Sequence, residues 1–435
     1  MSSLLYALCS RLFPLLQQVG VGTNLALLQI LFALVSGRFL NSRGALVPAL
    51  DDMVLSKEAV RRSVQALSYG SWNIGGLIQA WQRIVRQEGL WQPHRHGGFR
   101  PVALDLVAFF RPKLKGAVGK HYRSDAGKAL PALVFGMVAS VGSVGGKRLP
   151  LLRLLLRQKA TETEPALQAR LIEETARGLA KDEILLADAG FSIEELLKHP
   201  EAAFVVRLDQ NVTARRDRLP EAKGKGRPAQ YGEIVRPLAR TYGKKKILAT
   251  KPDRTERWKA GRLALRAHVF ESLVHREARP GSASFRIVVI FDPRYARPLI
   301  VATNRPLSAF DLWQLYRDRW PVEQMPLAAK QMLGCERAFV FGDESRWRLP
   351  ELAMLAGNLL SYVAACAQPV ATGFWDRCAR PTCGRIRRSL SRRNFSDLPP
   401  LPGQFRKKES LTAHLQTGVR GHRRQKRPQT VPDTP

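Results

Sequence analysis

Between Pro101 and Phe110 a single acid, Asp105, interrupts an otherwise apolar string of ten residues. Continuous apolar runs of that length predict a strand buried on both faces. Similar runs follow over Ala132–Val141 and Leu149–Leu156, then over Glu183–Phe191, which carries Asp188, and over Ala203–Arg207. An amphipathic helix is expected over Glu164–Leu179 and a shorter one over Ile193–Leu197. Strands first, then strands alternating with helices, predict a mixed α/β sheet. A carboxylate inside such a run costs free energy unless it is paired or bound to a metal.

The rest of the chain divides around this sheet. From Leu4 to Arg86 apolar residues recur at helical spacing, broken by glycine-containing turns, so residues 1–98 are expected to form a helical domain. Within it, Ser56–Leu67 has a helix-starting serine and a basic face, suited equally to a DNA groove or to solvent. The turn His94–Gly98 leads into the core that carries the sheet, expected over 99–208 and 285–345. Between its halves, 209–284 is expected to be a basic, β-rich insertion with lysine clusters at Lys223–Lys225 and at Lys244, Lys245 and Lys246. Its triplet Gly226-Arg227-Pro228 resembles a minor-groove hook, although a simple basic loop is the plainer reading. The sheet resumes over Phe285–Phe291 and Leu299–Thr303, followed by helix from Leu307 towards Leu333. More helix is expected over Leu349–Ala367 within 346–375, and 376–435 reads as a basic disordered arm.

Charge indicates the partner. Lys and Arg number 70 against 36 Asp and Glu, a formal +34 that repels itself unless a polyanion such as nucleic acid is near. The five cysteines are odd in number and scattered, so no disulfide framework is implied. Cys378 and Cys383 read as a chance pair rather than half of a zinc site. The apolar stretch Leu25–Val35 is too short for a membrane span, and the N-terminus lacks the basic region of a secretory signal. A cytoplasmic protein is therefore expected.

Asp105 and Asp188 join a third acid, Glu323, on the late helix. Acids converging from separate elements can hold a hard cation, and two Mg²⁺ ions there could activate a water or a 3′-hydroxyl for in-line attack at phosphorus. Asp292 is a rival, but Asp292-Pro293-Arg294 reads as a turn. The helix also carries Tyr316, Arg319 and Lys330. Tyr, Arg, Glu and Lys at these spacings should occur by chance in about one chain of this length in a few hundred. At 100° per residue the four fall within roughly a 60° arc, so one face would present a metal-binding carboxylate and three phosphate-binding groups. Pro321 and Pro326 must kink or restart that helix.

On these residues the sequence resembles the cut-and-paste DDE transposases of bacterial insertion sequences that carry the Y-R-E-K signature, over Pro101–Lys330. The resemblance implies an α/β, ribonuclease-H-like mixed sheet with a β-rich insertion. It implies Asp105, Asp188 and Glu323 as catalytic metal ligands for two Mg²⁺ ions, with Mn²⁺ as a substitute. It implies that Tyr316, Arg319 and Lys330 contact phosphates at the element's ends, with Trp320 matching the tryptophan after the signature arginine. Double-stranded DNA would be the substrate and a homodimer the working form. Two positions depart from the family pattern: Leu299 stands where some relatives carry a stacking tryptophan, so that either Tyr295 takes over the stacking or base eversion works differently, and Ala189 follows the second Asp where a basic residue is common. The alternatives are a DNA-binding regulator that no longer cuts and a nuclease without strand transfer.

Overall fold

The computed structural model describes residues 3–111, 114, 119–221, 229–369, 371 and 373–407. The Lys223–Pro228 stretch lies outside the described residues. Six helices open the chain: α1 (Ser3–Leu16), α2 (Thr23–Val35), α3 (Arg38–Asn41), α4 (Leu46–Asp51), α5 (Lys57–Tyr69) and α6 (Ile74–Glu88). Ser56 Oγ accepts from Ala59 N at 3.2 Å and starts α5, whose outer residues Lys57 and Arg61 are exposed. Next come β1 (Trp91–Pro93), β2 (Arg100–Phe110), β3 (Gly119–Arg123), β4 (Lys128–Val144), β5 (Lys147–Arg157), α7 (Glu164–Arg177), β6 (Glu183–Ala187), α8 (Ile193–Leu197) and β7 (Ala203–Arg207). The basic region supplies β8 (Ala214–Arg216), β9 (Ile234–Val235), β10 (Arg240–Tyr242), β11 (Lys245–Ile247), β12 (Arg254–Ala260) and β13 (Leu263–His275). After β14 (Phe285–Phe291) and β15 (Leu299–Thr303) the chain is helical: α9 (Ala309–Arg319), α10 (Gln324–Leu327), α11 (Ser345–Cys366) and α12 (Cys383–Leu390).

Among the described residues thirteen strands form one mixed, mostly antiparallel sheet in the order β1-β4-β2-β6-β7-β15-β14-β13-β8-β9. β3 and β5 also pair with β4, and β12 with β13. Only β2–β6 and β6–β7 are parallel within it. The basic region is thus not set apart as a subdomain. Its long strand β13 pairs with β14 and carries β8, β9 and β12 onto the main sheet, leaving β10–β11 as a separate hairpin.

Helices cover both faces of the sheet, which is why β2 and β6 are apolar at nearly every position. Val102 and Leu104 pack with Leu185 and Ala187 against Leu171 and Ile172 of α7. Ala103, Val107 and Phe109 turn the other way with Ile184 and Leu186, towards Leu312 and Leu315 of α9 and Leu355 and Leu359 of α11. The N-terminal helices extend that second cluster through Leu12, Leu31 and Trp81, and Trp81 Nε1 donates to Asn358 Oδ1 at 2.9 Å. α11 is long and apolar enough to cross a membrane, a possibility the sequence reading did not raise, but most of it is buried in this core.

Two further expectations change. The arm after Trp375 is structured over its described residues: α12 inserts Ile386 and Leu390 beside α11, and Phe405 packs on Phe13 with ring centroids 5.4 Å apart. Arginine-rich composition hid these three anchors. The helix beyond Arg319 also changes type, passing through a 3₁₀ turn at Trp320–Glu323, then α10, then a π turn at Ala328–Met332. Pro321 and Pro326 lack the N–H an α-helix would use, and the hydrogen-bond pattern shifts around them.

Candidate active site

Strand parity places the first two acids. Asp105 shares the face of Ala103 and Val107, and Asp188 follows Ile184 and Leu186 on the same face. The parallel register Ala103↔Leu186, carried on two residues, sets Asp188 across from Asp105 at a strand spacing of about 4.8 Å. Helix α9 lies over that face. Ser308 Oγ accepts from Asp311 N at 3.1 Å to start it, and Leu312 and Leu315 anchor it. Tyr316 and Arg319, three residues apart, then point at Asp188. Tyr316 OH donates to Asp188 Oδ1 at 3.1 Å, and Arg319 Nη2 donates to Asp188 Oδ2 at 2.5 Å. Arg319 Nη1 also donates to Glu323 Oε1 at 3.0 Å, so one guanidinium bridges two of the acids.

The electrostatics differ from acid to acid. Burial pushes the Asp105 carboxyl up to about 6; Arg319 and the Leu106 N–H pull it down, while the charges of Glu323 and Asp188 push it up further. Burial also works to raise Asp188, but Arg319, the Ala189 N–H and Arg207 hold it below the usual carboxylate range. Burial and the Asp188 charge raise Tyr316, which keeps its proton as a donor. Lys330, on the π turn, lies 5.3 Å from the centroid of the Phe109 ring and is lowered by burial, against the pull of Glu336 and Asp105. The structure therefore gathers Asp105, Asp188, Glu323, Tyr316, Arg319 and Lys330 into one region. Lys244, Lys245 and Lys246 sit instead on the β10–β11 hairpin, all exposed.

A cleft of about 630 Å³ opens beside Tyr316, lined by Arg207, Arg294, Tyr295, Leu299, Trp313 and Trp320. Trp320 and Tyr295 are 63% and 68% exposed, and the Arg294 guanidinium lies over the Tyr295 ring at 5.6 Å. Arg207, which the sequence reading missed, approaches Asp188 Oδ1 at 3.6 Å from the end of β7. With Ala189 after the second Asp, Arg207 and Arg319 supply the positive charge at that acid. Asp292 opens a turn: its Oδ1 accepts from Arg294 N at 3.1 Å and its carboxylate pairs with the Arg294 guanidinium at 2.6 Å. A cluster the sequence reading passed over as a turn lies nearby. His94 Nδ1 and His96 Nε2 both meet Asp318 Oδ2, at 2.7 and 2.8 Å.

The family model described as Transposase DDE domain matches residues 122–339, half of the chain. That span contains Asp188, Tyr316, Arg319, Glu323 and Lys330 and begins after Asp105. No curated protein matches the chain.

Proposed function

Because the chain belongs to the transposases with a DDE domain, we propose that it is a cut-and-paste enzyme of the Y-R-E-K type acting on the ends of its own element. It binds the inverted ends in duplex DNA, lets a water nick one strand, and uses the freed 3′-hydroxyl to attack a second phosphodiester. The observation that carries this reading is that Asp188 and Glu323 share the Arg319 guanidinium while the Asp105 carboxyl lies within reach of all three charges. Their donor set is entirely carboxylate oxygen, which suits a hard divalent cation. When bound there, Mg²⁺ or Mn²⁺ supplies the charge that activates the attacking hydroxyl and stabilises the leaving oxygen.

The chain's own groups do the rest. Asp105 must be ionised to ligate, so a proton competes for it below about pH 6. Arg319 offsets the repulsion between Asp188 and Glu323 in the metal-free site and can then turn to a phosphate of the DNA. Tyr316 donates from the same helix face. Arg207 and Trp320 offer the adjacent cleft a charge for the backbone and a flat surface for a base. Lys330 contacts a phosphate from the Asp105 side, Lys244, Lys245 and Lys246 contact DNA further out, and two copies pair the two ends.

Purified protein with Mg²⁺ and the DNA flanking its own gene should give nicks that map to the element's ends, then joined products. Glu323→Gln should bind the same ends and cut at least about 1000-fold more slowly. Nicks without joined products would make the protein a nuclease, and end binding without metal-dependent cutting would make it a regulator.

A further inference from the structure

The His94, His96 and Asp318 cluster has no part in the reading above. His94 and His96 flank Arg95 in the extended stretch after β1, so both side chains leave the same side of the chain. That stretch is held rigidly. His94 N donates to Val141 O at 3.1 Å, and His96 and Phe99 exchange two backbone hydrogen bonds of 2.9 Å around Gly97 and Gly98. Both glycines have positive φ, and a Cβ on Gly97 would lie 2.5 Å from Leu307 Cδ2, so the turn is pressed against the start of α9. Asp318 faces it from α9 with 0% exposure. Its Oδ2 meets both imidazoles, while its Oδ1 accepts no hydrogen bond and has Arg148 Nε 3.3 Å away.

We propose that His94 Nδ1, His96 Nε2 and Asp318 bind one transition-metal ion of the zinc class, at a site distinct from the carboxylate triad. Two imidazoles and one carboxylate select a borderline metal such as Zn²⁺ over Mg²⁺. The three ligand atoms converge from two rigid pieces of backbone and lie within 4.8 Å of one another. At metal–ligand lengths of about 2.0–2.1 Å the ligand atoms stand about 3.3 Å apart, so loading lengthens the two contacts from the imidazoles to Asp318 Oδ2 by roughly half an ångström. The histidine side chains are 20% and 19% exposed, which leaves an open side for a water as fourth ligand. Arg148 balances the second oxygen of Asp318. The ion ties the turn between the N-terminal helices and β2 to the helix that carries Tyr316 and Arg319, so it is a structural staple for α9.

The alternative for the same atoms is a metal-free clasp in which both ring nitrogens donate to Asp318. The two differ in what those nitrogens must offer: lone pairs to a metal, protons to a clasp. Asn at 94 and Gln at 96 place amide N–H groups near Nδ1 and Nε2, keeping the donors but removing the ligands. Full-length protein titrated with Zn²⁺, and with Co²⁺ followed by its visible absorption, should bind one equivalent with Kd below about 1 μM. Tm should rise by about 3 °C at a hundredfold excess over Kd, with no such rise in Mg²⁺. His94→Asn combined with His96→Gln should keep the metal-free Tm and lose at least about 100-fold in affinity together with the Tm rise. Asp105→Asn should leave Zn²⁺ binding unchanged, which separates this site from the triad. If the double variant does not fold, His96→Gln alone decides by the same titration. Equal Zn²⁺ binding in wild type and variant, or no stoichiometric binding below about 100 μM, would leave a clasp and overturn the proposal.

Discussion

Asp105 carries a burial cost that falls on its charged form. Its carboxyl is raised by burial to about 6, so it stabilises the fold while protonated, and that contribution disappears as pH rises from about 4 through 6. Without metal the wild type should lose on the order of 1–3 kcal/mol between pH 4 and pH 7 that Asp105→Asn retains. Denaturant unfolding at the two pH values checks this, and parallel curves would show that Asp105 is not strained. On the catalytic reading, Mg²⁺ should restore the wild type but not the variant. Nicking should also fall as pH drops through about 6, with added Mg²⁺ offsetting the loss by competing with the proton. Thiols give a second residue-level test. Burial pushes Cys9, Cys335 and Cys383 up to about 12, whereas Cys378 is exposed. Alkylation of native protein near pH 8, mapped by mass spectrometry, should label Cys378 and spare those three. Asp105 and Asp188 were legible because a lone acid in an apolar run is conspicuous. Arg207 was not, because at the end of β7 only the fold shows that it faces Asp188. The His94–Asp318 contact spans 224 residues, and no local pattern announces it.

At the scale of elements, what the sequence revealed was the order of strands and helices, and what it concealed was where elements dock. Runs with the period of a buried strand could be read directly, including those that became β2, β4, β6, β7, β14 and β15. Docking depends on a few side chains whose weight is invisible against their neighbours. α12 shows this: Ile386 and Leu390 stand among arginines and look like part of a solvated arm, yet they are 0% and 1% exposed. Leu390→Ala should therefore lower stability by about 2–4 kcal/mol, read by denaturant unfolding, where a truly disordered arm would show no change. Removing the chain after Lys407 should leave that stability unaltered, since α12 and Phe405 remain. The helix after α9 was legible in its residues but not in its geometry. Proline positions announced a break, while the outcome, a 3₁₀ turn followed by a π turn, depends on packing of Val322, Met325 and Ala329 into the core. These turns set the direction of Glu323 and Lys330, so the single-arc picture describes Tyr316 and Arg319 better than it describes Lys330.

The net charge of the whole molecule overstates the positive surface left free to meet a polyanion, because many arginines are spent on the fold. Arg348 donates to Leu67 O and Trp72 O, Arg111 to Ala338 O and Val340 O, and Arg157 pairs with buried Glu351 at 2.6 Å. A guanidinium can satisfy several carbonyls at once, so it serves as a structural donor where lysine cannot. The lysines are the better markers of a polyanion surface, and Lys244, Lys245 and Lys246 are exposed together at a hairpin tip. Arg240, two residues before the turn, is not equivalent: its guanidinium donates to Asn211 O and ties the hairpin to the body. Changing the three lysines together to Gln removes charge without removing core, so Tm should stay constant. If the hairpin follows the DNA backbone, each lost phosphate contact should reduce the slope of log K against log salt by about 0.9, or about 2–3 in all. Affinity should fall alike for element ends and unrelated duplex, because phosphate contacts carry no base information. Filter binding or fluorescence anisotropy across a salt series measures both quantities. A preference for ends that weakened with the slope would mean the hairpin reads bases, and a slope that did not move would take the hairpin off the DNA path altogether.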